Sequence, residues 1–321
     1  KYADNYFSLL SKIGDIAKID SILTDLHQKN PQNTQILDYI ADWHSSPVFQ
    51  EQVLTTFVEL RPDYGIIRRQ LIDVRLKLGL FEQALQQAKD TCESFVGEHI
   101  NESYLAKCHL KLGNFEAAKT ITRDVLSIAV DNELAFSSLM AASVTKDEQE
   151  ASLDFIFSQM KKQVIFGNSA WDFWFNAKSI FKQEKLKTFI DYLLDEQDHL
   201  WYAYSLSANY YQQYGDLDKA KALLLEGQYK FPLTPRLYSD LGKLYELEGD
   251  TEKSIEAFNQ ALVMNPAWSD VTKRLCELLE KHEDMSSAIE VIQKGIKHNT
   301  NDGVLHGYLA DLLMRQGEDK A

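Results

Sequence analysis

Cysteine, proline and clustered basic residues are scarce in this chain. Its three cysteines, Cys92, Cys108 and Cys276, have no CxxC spacing and are odd in number. They suggest neither a zinc site nor a disulfide framework and read as buried apolar filler. The six prolines are Pro31, Pro47, Pro62, Pro232, Pro235 and Pro266, and each falls where a helix is expected to start or stop. No run approaches the roughly 18 apolar residues of a membrane span, so no membrane insertion is expected. The net charge of -14 excludes a general nucleic-acid or anionic-membrane surface, and no nucleic-acid partner is expected. Arg68, Arg69, Arg75 and Lys77 remain either a local basic patch or a solvated helix face. Alternating apolar and polar runs bounded by Asn-Gly or Asp-Gly turns are missing, so strand signals are weak. Catalytic signatures are also missing: there is no P-loop, GxGxxG or GxSxG, and His27, His44, His109 and His282 form no HExxH pair. Neither a cofactor nor a catalytic residue is implied. The start, Lys1-Tyr2-Ala3-Asp4, is neither an initiator methionine nor a signal peptide and reads as trimmed or processed.

What the chain does have is a period. Gly79 and Gly113 lie 34 residues apart, and Gly215, Gly249 and Gly317 fall on the same ladder, with Asp147, Phe181 and Glu283 on the other rungs. A fixed period in this range implies stacked repeats, in which each unit buries its apolar face on its neighbours. The clearest unit runs from Pro235 to Trp268. Tyr238, Leu241, Gly242 and Tyr245 recur at i, i+3, i+4 and i+7 and form one face of a first helix, as Phe258 and Ala261 do for a second. Gly242 is small so that the second helix can come close, and is expected to accept Ala but no larger side chain. Gly249 and Asp250 supply the turn between the two, Pro266 ends the second, and Thr234 and Pro235 cap and open the first.

With Pro235 as position 1, these residues fall at 4, 7, 8, 11, 15, 24, 27 and 32, with Ser254 at 20. In that spacing the unit resembles the tetratricopeptide repeat. The preceding unit repeats it with Tyr204, Ala208, Tyr211, Gly215, Ala220, Leu224, Gly227 and Pro232. The resemblance implies an all-α fold: an α-solenoid, a right-handed superhelix of antiparallel helix pairs, about nine and a half units long. The units are framed approximately as residues 1–30, 31–64, 65–98, 99–132, 133–166, 167–200, 201–234, 235–268, 269–302 and a partial 303–321. Pro31 and Pro62 are only 31 apart, which places a shortfall at His44 to Pro47. The units at 133–166 and 167–200 depart from the pattern with Met140, Ser143, Trp174 and Leu186, through either a change of curvature or a misframing by about a residue.

The resemblance further implies that positions 2, 5, 9, 12 and 13 of each first helix line a concave groove. These are Trp171 and Phe175, then Tyr202, Ser205, Asn209, Gln212 and Gln213, then Arg236, Ser239, Lys243 and Glu246, then Asp270, Lys273 and Glu277. Such a mixture suits an extended peptide. Trp171 and Phe175 equally fit packing between units. The carboxylate clamp of chaperone-tail binders is not reproduced: Asn209 and Arg274 fit it, but Ser205, Asp240 and Asp270 stand at its other places. A long asparagine ladder, as in glycosyltransferase relatives, is missing too. The implied function is a non-catalytic scaffold that binds a protein or peptide partner, with binding depending on Asn209 and Tyr202 more than on the outer helices. The alternative is the recruiting region of a larger enzyme, a transferase or protease, whose catalytic domain lies outside this chain. The end at Ala321, inside what should be a second helix, implies further sequence and either self-association or fraying through an uncapped apolar end.

Overall fold

The computed structural model describes residues 2–165, 167–282 and 284–318, all of whose regular elements are α-helices. Glu283, Ala321 and the unit boundary at Phe166 lie outside the described residues. Two compact units divide the chain. The first, Lys1–Ile180, holds α1 (Tyr2–Lys12), α2 (Ile16–Lys29), α3 (Thr34–Trp43), α4 (Pro47–Leu60), α5 (Gly65–Lys77), α6 (Phe81–Ser94), α7 (His99–Lys111), α8 (Phe115–Leu126), α9 (Glu133–Ala142), α10 (Lys146–Met160) and α11 (Asn168–Ile180). The second, Phe181–Ala321, holds α12 (Gln183–Glu196), α13 (Trp201–Gln213), α14 (Leu217–Lys230), α15 (Pro235–Glu248), α16 (Thr251–Met264), α17 (Ser269–Lys281), α18 (Met285–His298) and α19 (Gly303–Glu318). Within each unit consecutive helices pack together, and so do alternate ones such as α7 with α9, α9 with α11, and α13 with α15. The chain is an all-α helical-repeat solenoid.

The pair α15 and α16 shows how the repeat is held. Gly242 sits against the fully buried ring of Phe258, and Ser254 of α16 donates its hydroxyl to the Gly242 carbonyl at 2.8 Å. A short serine side chain of α16 thus reaches the α15 backbone at a position where α15 contributes no side chain of its own. In the next repeat Cys276 stands where Gly242 stands here, and its Sγ–H reaches the Ala288 carbonyl at 3.3 Å. Gly249 ends α15 with φ of 77°, a left-handed conformation that costs a residue without Cβ little. Pro235 opens α15 behind Thr234, which holds the N-cap position without a side-chain hydrogen bond.

Departures from the period have local causes. α3 and α9 are each 10 residues long, against the 13 of α5 and α7. In the short repeat at α3, Ser46 and Pro47 start the next helix early, at the expected shortfall. At α9, Thr145 and Glu148 form a reciprocal capping box that starts α10 at Lys146, so the rung residue Asp147 lies in a helix and not in a turn. Gly317, another rung, lies inside α19.

Several sequence expectations need correction. Of the four basic residues of α5, Lys77 is exposed, but the three arginines form neither an open patch nor a solvated face. Arg68 is buried, donating to the Pro62 carbonyl at 3.1 Å and the Ser94 hydroxyl at 3.2 Å. Arg69 reaches Asn101 at 2.8 Å, and Arg75 reaches Glu51 at 3.0 Å. Guanidinium groups here tie neighbouring helices together. Cys108 and Cys276 are buried filler, with burial pushing both thiols up to about 12, whereas Cys92 is only half-buried. Gly242, expected to accept Ala, has no room even for that: a Cβ there would lie 2.7 Å from Phe258 Cδ1 and Cε1.

The fold therefore predicts that Gly242→Ala is destabilising by about 1–3 kcal/mol, as expected for overpacking beside a buried ring. Urea unfolding should show a lower midpoint at an unchanged slope. An unshifted midpoint would mean that the Phe258 ring moves aside freely.

Candidate functional site

On α15 the spacing of Arg236, Asp240 and Lys243 places one acid between two bases on a single helix face. Asp240 is 6% exposed and accepts from Arg236 Nε at 3.1 Å and from Lys243 Nζ at 3.1 Å. Its Oδ2 also accepts from the Ser205 hydroxyl of α13, so the acid joins two successive first helices. A carboxylate this deep is tolerated because both of its oxygens are engaged by charged or hydroxyl donors.

α17 supplies the opposite wall. Arg274 donates to Glu246 of α15 at 2.9 Å, Lys281 comes within 3.6 Å of the same carboxylate, and Lys273 lies 3.7 Å from Glu277. Between the helices is a cleft of about 340 Å³ whose lining includes Arg236, Ser239, Lys243, Trp268, Lys273 and Arg274. Ser239 is fully buried, and its hydroxyl has no hydrogen-bond partner among the described atoms. An unsatisfied hydroxyl beside a cleft can accept or donate to an incoming polar group. Chemically, the cleft offers exchangeable ion pairs, an indole and a free hydroxyl, which is a surface for recognising a polar chain.

Of the residues that the sequence marks for a groove, the structure brings Arg236, Ser239, Lys243, Asp270, Lys273 and Glu277 together in this cleft. Tyr202 and Ser205 are buried, at 2% and 0% exposed. Ser205 is used by Asp240, and Tyr202 packs edge-on against Trp201 with ring centres 6.2 Å apart. Asn209 is half-buried, and its amide donates to the Ser205 carbonyl at 2.7 Å, so that donor is committed to its own helix. Gln212 is half-buried near the end of α13. Trp171 and Phe175 belong to the first unit, where they stack on each other with ring centres 5.6 Å apart.

Sequence reasoning noted Asp240 only as a departure from a carboxylate clamp. The signal for its role was present: a base at i-4 and another at i+3. The contribution of Trp268 had no such signal, because its position at the N-cap of α17 becomes a cleft wall only when two repeats are stacked.

A family model and a curated relative agree with the repeat geometry. A family model of the tetratricopeptide repeat matches residues 235–267, the α15–α16 pair. The chain is 24% identical over 310 residues to the TPR repeat-containing protein YpiA of Bacillus subtilis (strain 168), covering 92% of this chain and 71% of that protein. It is 28% identical over 113 residues to RanBP2-like and GRIP domain-containing protein 3 of Homo sapiens, a match that spans 35% of this chain and only 6% of that protein. Among solved structures, a tetratricopeptide repeat protein from Parabacteroides merdae ATCC 43184 superposes with a TM-score of 0.42 at 17% identity, covering 82% of this chain and 98% of that chain.

The site geometry predicts energetic coupling between α13 and α15. A double-mutant cycle of Ser205→Ala and Asp240→Asn, read by chemical denaturation, should give an interaction energy of about 0.5–3 kcal/mol. Additive effects would show that the contact contributes nothing to the stacking of these repeats.

Proposed function

Because the chain is a tetratricopeptide repeat protein, we propose that it is a non-catalytic scaffold that binds a protein or peptide segment along the first helices of successive repeats. The observation that carries this reading is the cleft between α15 and α17, where Arg236, Lys243 and Lys273 meet the unpartnered Ser239 hydroxyl and the Trp268 ring. An extended segment presents a polar group at every residue, and a wall of alternating charges can pair with it without a deep pocket. Asn209 and Gln212, one repeat earlier, continue the same face and offer acceptor oxygens to a backbone. Affinity then depends on how many of the cleft's own ion pairs are exchanged for pairs with the partner. Such exchange favours specificity over raw binding strength.

The partner reading extends to self-association. Leu305 and Leu312 of α19 are buried, while Val304, Leu313 and Met314 are 63%, 46% and 68% exposed. Exposed apolar side chains flanking the buried stripe of α19 support packing against a second apolar surface. Sedimentation of Leu313→Lys/Met314→Lys beside the native chain checks this, with association expected to weaken in the variant. Identical sedimentation of a concentration-dependent native species would remove α19 from the interface.

The scaffold reading is tested by selecting binders from a random peptide display on the full chain and measuring the selected peptides in solution. Lys243→Glu/Lys273→Glu should weaken them by about tenfold or more, ~1.4 kcal/mol per decade. Lys294→Glu, on the second helix α18, should leave them unchanged. Unaltered binding by the cleft variant would overturn the assignment.

A further inference from the structure

A second surface, built differently, lies in the first unit between α9 and α11. Trp171 and Phe175 stack along α11 with 18° between ring planes, and Phe175 is 52% exposed. One residue further round the same helix, Asp172 and Asn176 line a cleft of about 530 Å³ against Glu133, Ser137 and Met140. Asp172 is half-buried, and no hydrogen bond or ion pair reaches its carboxylate among the described residues. Burial first, and then the charges of Glu133 and Asp131, push its carboxyl above the usual range. A partly desolvated acid facing two others is held at a cost that an incoming cation would relieve. The neighbouring ring already attracts one: Lys178 Nζ lies 4.5 Å from the Phe175 ring centre.

Aromatic area and uncompensated negative charge therefore run side by side along one helix face. A lysine or arginine side chain matches both, because its stem is apolar and its end is cationic. We propose that the α9–α11 face docks a basic, extended segment of a partner protein. The stem of a lysine or arginine lies along Trp171 and Phe175, its charge sits at Asp172, and Asn176 and Ser137 bond the adjoining backbone. An acidic or neutral segment would leave Asp172 uncompensated. This surface shares no residue with the α15–α17 cleft, so either assignment can fail without the other.

The test uses the full chain and a fluorescein-labelled decapeptide of alternating lysine and leucine, with a glutamate-for-lysine counterpart, followed by fluorescence anisotropy at low and high salt. The lysine peptide should bind and the glutamate peptide should not. Asp172→Asn and Phe175→Ala should each weaken binding by about tenfold. Glu290→Gln on α18, which removes one exposed charge far along the chain, should leave it unchanged. Acidifying through the raised range of Asp172 should weaken binding to the native chain and not to Asp172→Asn, because protonation removes the charge that the cation faces. Thermal melting confirms that each variant is folded. Equal binding by Asp172→Asn or by Phe175→Ala, or an equal loss in Glu290→Gln, would overturn the proposal, the last by showing diffuse attraction to an acidic chain.

Discussion

The contact between the two helices of a repeat sets the scale of everything else in this molecule. At Gly242 the helices approach until a buried aromatic ring fills the space where a side chain would begin, and a serine hydroxyl bonds directly to the opposing carbonyl. Such closeness restricts this position to small residues in several repeats, Ala106, Ala208 and Cys276 among them. It also fixes the distance along the chain before the next such contact, since two helices of about 13 or 14 residues and their turns must fit between. Seven first helices begin at Gly65, His99, Glu133, Trp201, Pro235, Ser269 and Gly303, all on a spacing that is a multiple of 34. Periodicity in the sequence is thus the consequence of one steric requirement repeated, and no single large core is needed.

Polar contacts act at a second level, between repeats. Lys107 and Tyr104 of α7 converge on Asp73 of α5, at 2.6 Å and 3.1 Å. Asp240 collects Ser205 from the previous first helix, and Glu246 collects Arg274 from the next. Contacts of this sort add little stability when exposed, but when partly buried they penalise any slip in the stacking of neighbours, because a slipped acid would be left without its mate. The early basic residues follow the same logic. Four positive charges on α5 looked available for a ligand, yet three of them serve the stacking itself.

This explains why the fold was legible in the sequence and the candidate site only partly so. Helix starts, helix ends and the close contact depend on residue types at fixed offsets within one repeat, which a single chain displays. Where the period failed, at Asp147 and Gly317, local capping or helix continuation overrode the ladder, and the capping pair Thr145 and Glu148 could have been read from their spacing. Surface residues depend on what the neighbouring repeat brings. Ser205 and Tyr202 occupy positions of the expected groove face, but the acid of the following repeat and the packing of α13 draw them inside. Trp268 becomes a wall by the reverse process. No offset within one repeat encodes either outcome.

The two proposed surfaces differ in how their charge is held, and this difference governs what each can do. Around Asp240 and Glu246 the charges of the cleft are already paired, so a partner must replace existing pairs and the net electrostatic gain is small. What such a cleft discriminates is geometry: a segment that cannot re-form the pairs leaves buried charge behind, a cost far above the value of any single exposed bridge. Asp172 starts from the opposite condition, half-buried with no partner for its carboxylate, so the first cation to reach it gains directly. Attraction of that kind acts at a distance and accelerates encounter, and salt screens it over roughly 8–10 Å at ordinary ionic strength. On the proposed assignments, the Asp172 surface favours rapid encounter with a basic segment and the α15–α17 cleft favours discrimination among polar segments.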